Sequence, residues 1–192
     1  MLVLILGLLI FLGVHSIRFF ADDWRSQQVA RLGELPWKGI FTVVSLLGFV
    51  LIVWGYGLAK ADTVWLWIPP VWTRHLAALL TLPAFILLLA AYIPGSRIRS
   101  KLGHPMLAGT KIWAFAHLIS NGTLAAVLLF GSFMVWSIVG FAASRRRDRA
   151  TGVIRAPGSL KGDLMVIVAG VVAWMIFAMY LHGVLIGVKP FG

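Results

Sequence analysis

Five long apolar runs, separated by polar stretches, set the pattern of this chain. The first covers Met1 to about Phe20, the second Lys38 to Leu58, the third Arg74 to Tyr92, the fourth Ile112 to Phe141 and the fifth Leu164 to Val188. Each comes close to or exceeds the ~20 mainly apolar residues that one membrane crossing needs. The pattern predicts an all-α fold, a polytopic membrane helix bundle with about five transmembrane helices, in a range of five to six. The fourth run is the odd one. As a single helix it would be about 45 Å long, against a hydrocarbon core of ~30 Å. It then has to tilt, or rest its first turns in the interface.

The polar stretches supply the punctuation. Ala21 to Trp37 holds Asp22, Asp23, Arg25, Arg31 and Glu34, and Pro36 suits a helix start. Ala59 to Thr73 carries Trp65, Trp67 and Trp72, an interfacial aromatic belt, with Pro69-Pro70 blocking helix there. Pro83 should kink the third helix, and Pro94-Gly95 ends it. Ser96 to Lys111 reads as a basic loop. Ser144 to Asp163 is the longest polar stretch, and its Arg145-Arg146-Arg147 and Arg149 anchor it at the lipid surface. The first run resembles a signal peptide but lacks a basic n-region and an A-x-A-like site, so it reads as a retained helix. Gly48, Gly55 and Gly57, and the Gly183-x-x-x-Gly187 spacing, offer close helix approach.

Composition agrees. Hydrophobic residues make up 60% of the 192, where soluble domains hold ~45–50%, and mean hydropathy is +0.95. The length suits one domain. There is no cysteine, which excludes disulfides, thiolate metal sites and cysteine nucleophiles. A net charge of +11 raises the question of nucleic acid. The basic residues cluster between apolar runs, however, so lipid head groups are the expected anionic partner, not nucleic acid. Every acidic residue falls outside the runs, which argues against a proton-coupled carrier.

Candidate chemistry lies in five histidines and the single asparagine, Asn121. Five crossings assign sides by parity. His15, His104, His117 and His182 then converge on the side opposite the amino terminus, and His75 lies near the other. Two helical histidines facing each other across a bundle can ligate a haem iron, and imidazole also suits zinc or copper. The alternative is a set of hydrogen-bonded interhelical histidines. Asn121, one turn after His117, is placed to fix its ring. Lysine and arginine divide nearly evenly between the two sides on this count, so they do not orient the protein. The first helix has basic residues only after it, which favours its far side as cytoplasmic.

The motifs Gly13-Val14-His15-Ser16-Ile17-Arg18, Ala91-Tyr92-Ile93-Pro94-Gly95, His104-Pro105-Met106-Leu107 and Trp113-Ala114-x-x-His117-Leu118-x-x-Asn121-Gly122, followed by Leu129-Phe130-Gly131, resemble the NnrU family of bacterial membrane proteins. The resemblance covers nearly the full length and is most specific before the carboxyl-terminal third. It implies a multi-pass protein of the bacterial inner membrane, associated with nitrite and nitric oxide reduction. The family is also similar to the plant 15-cis-ζ-carotene isomerase, a membrane haem b protein. That similarity implies haem b held by His15 and His117. By their placement at the same end, His104 and His182 are reserve cofactor-binding residues, either an alternative partner to the iron, and Asn121 is a supporting one. Ala114 stands where the isomerase has a cysteine, so a switch to thiolate ligation is not available. The leading expectation is a haem b-binding accessory or redox protein, with nitrogen-oxide respiratory proteins as partners and oligomerisation left open. The alternatives are a haem-dependent polyene isomerase and a non-haem scaffold for partner subunits.

Overall fold

The computed structural model describes residues 1–191. The regular elements among these residues are all helices: α1 (Leu2–Phe20), α2 (Asp22–Leu32), α3 (Glu34–Ala61), α4 (Trp72–Tyr92), α5 (Arg97–Leu102), α6 (Pro105–Ser120), α7 (Leu124–Ala150) and α8 (Leu160–Ile176). A π-helical turn, Phe177–Leu181, leads from α8 into the short α9 (His182–Ile186). Five of these units are long and apolar enough to cross a membrane: α1, α3, α4, α7, and α8 through α9. Large apolar side chains such as Leu9, Val43 and Leu79 face outward. In water that surface would be a liability; in lipid it is the solvent-matched face.

The fourth apolar run is not one helix. It breaks at Asn121-Gly122-Thr123 into α6 and α7, which pack against each other. Asn121 and Thr123 are both extended, and the Thr123 hydroxyl caps α7 by accepting from the Ala126 amide at 3.2 Å. Gly122 sits so close to the Trp67 carbonyl that no side chain fits there. Its carbonyl accepts from the Leu66 and Trp67 amides, and the Leu124 amide donates to Val64. The corner is therefore stitched to the tryptophan-bearing loop between α3 and α4.

This break changes the topology. Call the end holding the Trp65–Trp67 loop the tryptophan end, and the other the basic end. Helix α6 runs from the basic end to the tryptophan end and α7 returns. Contacts at both ends agree. At the tryptophan end, Lys60 donates to the Ile186 carbonyl at 3.3 Å. At the basic end, Arg147 donates to the Arg18 carbonyl, and Asp163 of α8 accepts from Arg97 and from the Ile98 amide at the start of α5. Among the described residues the bundle has six long strokes, and Met1 and Phe191 both lie at the tryptophan end. The sides assigned by the parity of five crossings are overturned from α6 onward, because that count took α6 and α7 as one helix. Helix α6 supplies about 24 Å of rise, less than its neighbours, which is why length alone did not mark it as a crossing.

The helices neighbour one another in the order α3, α1, α7, α6, α4, α8. Close approach of α1 to α3 depends on glycine: a Cβ on Gly55 would lie 2.3 Å from the Leu4 backbone nitrogen. Gly48 and Gly7 serve the same seam, whereas Gly57 meets nothing. The Gly183-x-x-x-Gly187 spacing is not a packing seam. Gly187 has φ +77° and ends α9, and Gly183 meets only the Lys189 side chain. Pro83 lies inside α4. Two residues earlier, the Thr81 hydroxyl accepts from the Trp174 indole at 3.0 Å, a polar tie between α4 and α8. The basic loop expected over Ser96–Lys111 is largely helical, divided between α5 and the start of α6.

Candidate functional site

Three histidines share one local device. The Nδ1 of His15 is 2.7 Å from the Phe11 carbonyl, that of His117 is 2.8 Å from the Trp113 carbonyl, and that of His182 is 2.6 Å from the Val188 carbonyl. A carbonyl only accepts, so Nδ1 carries the proton in each ring. In the neutral form of such a ring Nε2 keeps its lone pair, the tautomer that a metal ligand needs. His15 and His117 are donors to the residue four before, so the helix itself builds the anchor.

The rings differ in where they stand. His15 stacks on Phe11 at 4.2 Å, with Phe41 and Trp136 at its edges. His117 stacks on Phe130 at 4.6 Å, beside Trp113. Their α7 neighbours, Trp136 and Phe130, are six positions apart, about 9 Å along the helix. Phe133 lies between, packed on Phe11 at 5.8 Å and on Trp113 at 5.7 Å. An aromatic wedge thus separates the two rings, and α1 and α6 lie on different flanks of α7. In this packing the Phe133 ring stands between the surroundings of His15 and those of His117.

The reason is the reversal of α6. His117 stands three residues before the end of α6, at the tryptophan end, while His15 stands toward the basic end. His182, one turn before the Ile186 carbonyl that Lys60 meets, lies at the tryptophan end too. The π-helical turn just before it resets its direction; such turns are rare and frequent at functional sites. Phe177 packs edge-on against His182 at 5.9 Å and against Phe85 of α4. His75 is exposed in the first turn of α4, also at the tryptophan end. The expected convergence of His15, His104, His117 and His182 on one side is replaced by two groups: His117, His182 and His75 at one end, His15 and His104 toward the other.

Asn121 does not touch the His117 ring. Its Nδ2 donates to the His117 carbonyl at 2.9 Å and to the Ser120 hydroxyl at 3.2 Å, closing the last turn of α6. The ring is fixed by the Trp113 carbonyl instead.

His104 precedes Pro105 as the N-cap of α6 and lies outside regular helix, as expected. Its Nε2 is 2.7 Å from Asp148 Oδ2, and Arg155 donates to the same oxygen. Asp148 lies beyond the apolar part of α7, past Arg145. Arg155 first, and His104 second, hold its carboxyl below the ordinary carboxylate range. His104 is thereby engaged in a structural ion cluster. Asp148 and Arg155 were not singled out from the sequence, since a partner 44 positions from His104 depends on the α6–α7 hairpin. A groove of about 530 Å³ lies between α1 and α7 and is lined by Ser16, Phe19 and Trp136 among others, with no histidine. No group of three or more metal-binding side chains converges among the described residues, which leaves zinc or copper without a ligand set.

No curated protein and no solved structure matches the chain. The profile of the family described as NnrU protein matches residues 3–190. That match takes in α1 through α9, with all five histidines, the Asn121 corner and the arginine-rich α7–α8 connection, and on it this multi-pass membrane protein belongs to the NnrU family.

Proposed function

We propose that this protein is a haem b-binding integral membrane protein with an accessory or redox role linked to nitrite and nitric oxide reduction, and that its iron site lies at the tryptophan end, between His117 and His182. The observation that carries the reading is the pair of bare Nε2 atoms at that end, each fixed by an Nδ1–H bond to a carbonyl. Aromatic rings flank both, and the only acidic residue at that end is Asp62 in the loop after α3. Neutral imidazoles suit haem iron, and the Trp113 carbonyl acts as the outer partner that orients the ring. When bound, such a haem supplies one-electron transfer. The protein's own part is to hold the two rings and to exclude water with Trp113, Phe130 and Phe177. The link to nitrogen-oxide reduction rests on the family resemblance.

The test is the visible spectrum of protein purified in mild detergent, oxidised and reduced, with a titration of added haem b. We expect His117→Ala and His182→Ala each to abolish the six-coordinate low-spin signal, and His15→Ala to keep it, with helix content unchanged by circular dichroism. A colourless protein that takes up no added haem b sinks the cofactor. Loss of the signal in His15→Ala with retention in His182→Ala restores the His15–His117 pair and overturns the site.

A further inference from the structure

The reversal at Asn121-Gly122 redistributes charge along the bundle axis. Of the 17 lysines and arginines, Lys60, Arg74 and Lys189 lie at the tryptophan end, and Lys111 lies within α6, over the Phe141 ring. The remaining thirteen all fall at the basic end: the end of α1, α2, the start of α3, α5, the end of α7 and the α7–α8 connection. Counted on five crossings, the same residues divide almost evenly. Five of the six acidic residues share the basic end, and four of them are already paired: Asp22 with Arg25, Glu34 with Lys38, Asp148 with Arg155, and Asp163 with Arg97. Arg145, Arg146 and Arg149 are exposed on the last turns of α7 and have no carboxylate partner among the described residues.

We propose that this end is a docking surface for the anionic head groups of the cytoplasmic leaflet, which turns the His117–His182 end to the opposite side of the membrane. Short loops rich in lysine and arginine stay on the cytoplasmic side, and the anionic surface there attracts clustered juxtamembrane cations. The tryptophan loop supplies the opposite interfacial belt, with Trp65 and Trp67 exposed. What the histidine end does rests on the haem reading; which way it faces does not.

The lack of cysteine allows a clean test. Val64, in the tryptophan loop, and Ile154, in the α7–α8 connection, are exposed at 49% and 95%. In intact cells a membrane-impermeant maleimide is expected to label Val64→Cys, and to label Ile154→Cys only after permeabilisation. Labelling in detergent serves as the positive control for both. The reverse pattern, or both sites labelled from outside, overturns the orientation whether or not the protein holds haem. The lipid half is read by thermal unfolding of reconstituted protein. Phosphatidylglycerol bilayers are expected to raise the midpoint above that in phosphatidylcholine. The variant carrying Arg145→Gln, Arg146→Gln and Arg149→Gln is expected to lose most of that increment. An equal midpoint in the two lipids, or an unchanged increment in the variant, overturns the docking surface.

Discussion

The Nδ1–H of His117 has one acceptor, the Trp113 carbonyl at 2.8 Å, and that bond decides which nitrogen faces outward. The same logic makes His75 a useful contrast. It is exposed at the start of α4, so His75→Ala is expected to leave helix content and any haem absorbance unchanged. Loss of haem from a folded His75→Ala variant would move the site. At the other end of the bundle, Asp148 joins α6, α7 and the α7–α8 connection through His104 and Arg155. Its carboxyl is held below the ordinary range. The stability this contributes is therefore present at neutral pH and is lost as acidification passes through the depressed value. Asp148→Asn is expected to cost about 1 kcal/mol, since the partial exposure of the cluster discounts the charged hydrogen bonds. The check is a lower midpoint of thermal unfolding at pH 7, with the gap from the parent narrowing in acid.

Helix seams respond differently. Along α1 and α3 the backbones meet at Gly7, Gly48 and Gly55, and a Cβ at Gly55 has nowhere to go but into the Leu4 backbone. Gly55→Leu is expected to force the two helices apart, at 3 kcal/mol or more, beyond the ~1–3 kcal/mol typical of overpacking. A Gly57→Leu control, where nothing stands nearby, is expected to be nearly neutral. Equal unfolding midpoints for the two variants would show that the seam is not where it is described. The Asn121-Gly122-Thr123 corner is the other decisive junction. It stops one helix, caps the next and binds the tryptophan loop within three residues.

For the whole bundle, that corner is what sets the number of strokes. With α6 and α7 antiparallel, Met1 and Phe191 lie at one end, and reporter fusions at the two chain ends are expected to report the same compartment. Opposite compartments would restore a continuous fourth helix, and with it the convergence of His15 and His117. The concentration of cations at one end has the same origin: reversing a single helix moves everything after it to the other side.

Apolar content is a local property, so the helical class, the membrane setting and four of the five long runs were legible from the residues alone. So were the stop at Pro94-Gly95 and the non-helical position of His104. The excess length of Ile112 to Phe141, with Asn-Gly-Thr in its middle, was a readable sign of a turn, since a cap residue after a breaker is how a second helix begins. Which histidines share an end was not legible, because sidedness depends on the parity of every preceding crossing, and one unrecognised turn inverts the answer. The His104–Asp148–Arg155 cluster and the Phe133 wedge between His15 and His117 lay out of reach for a related reason. They join residues far apart in the chain whose meeting is set by how the helices pack, and packing is a property of the assembled bundle.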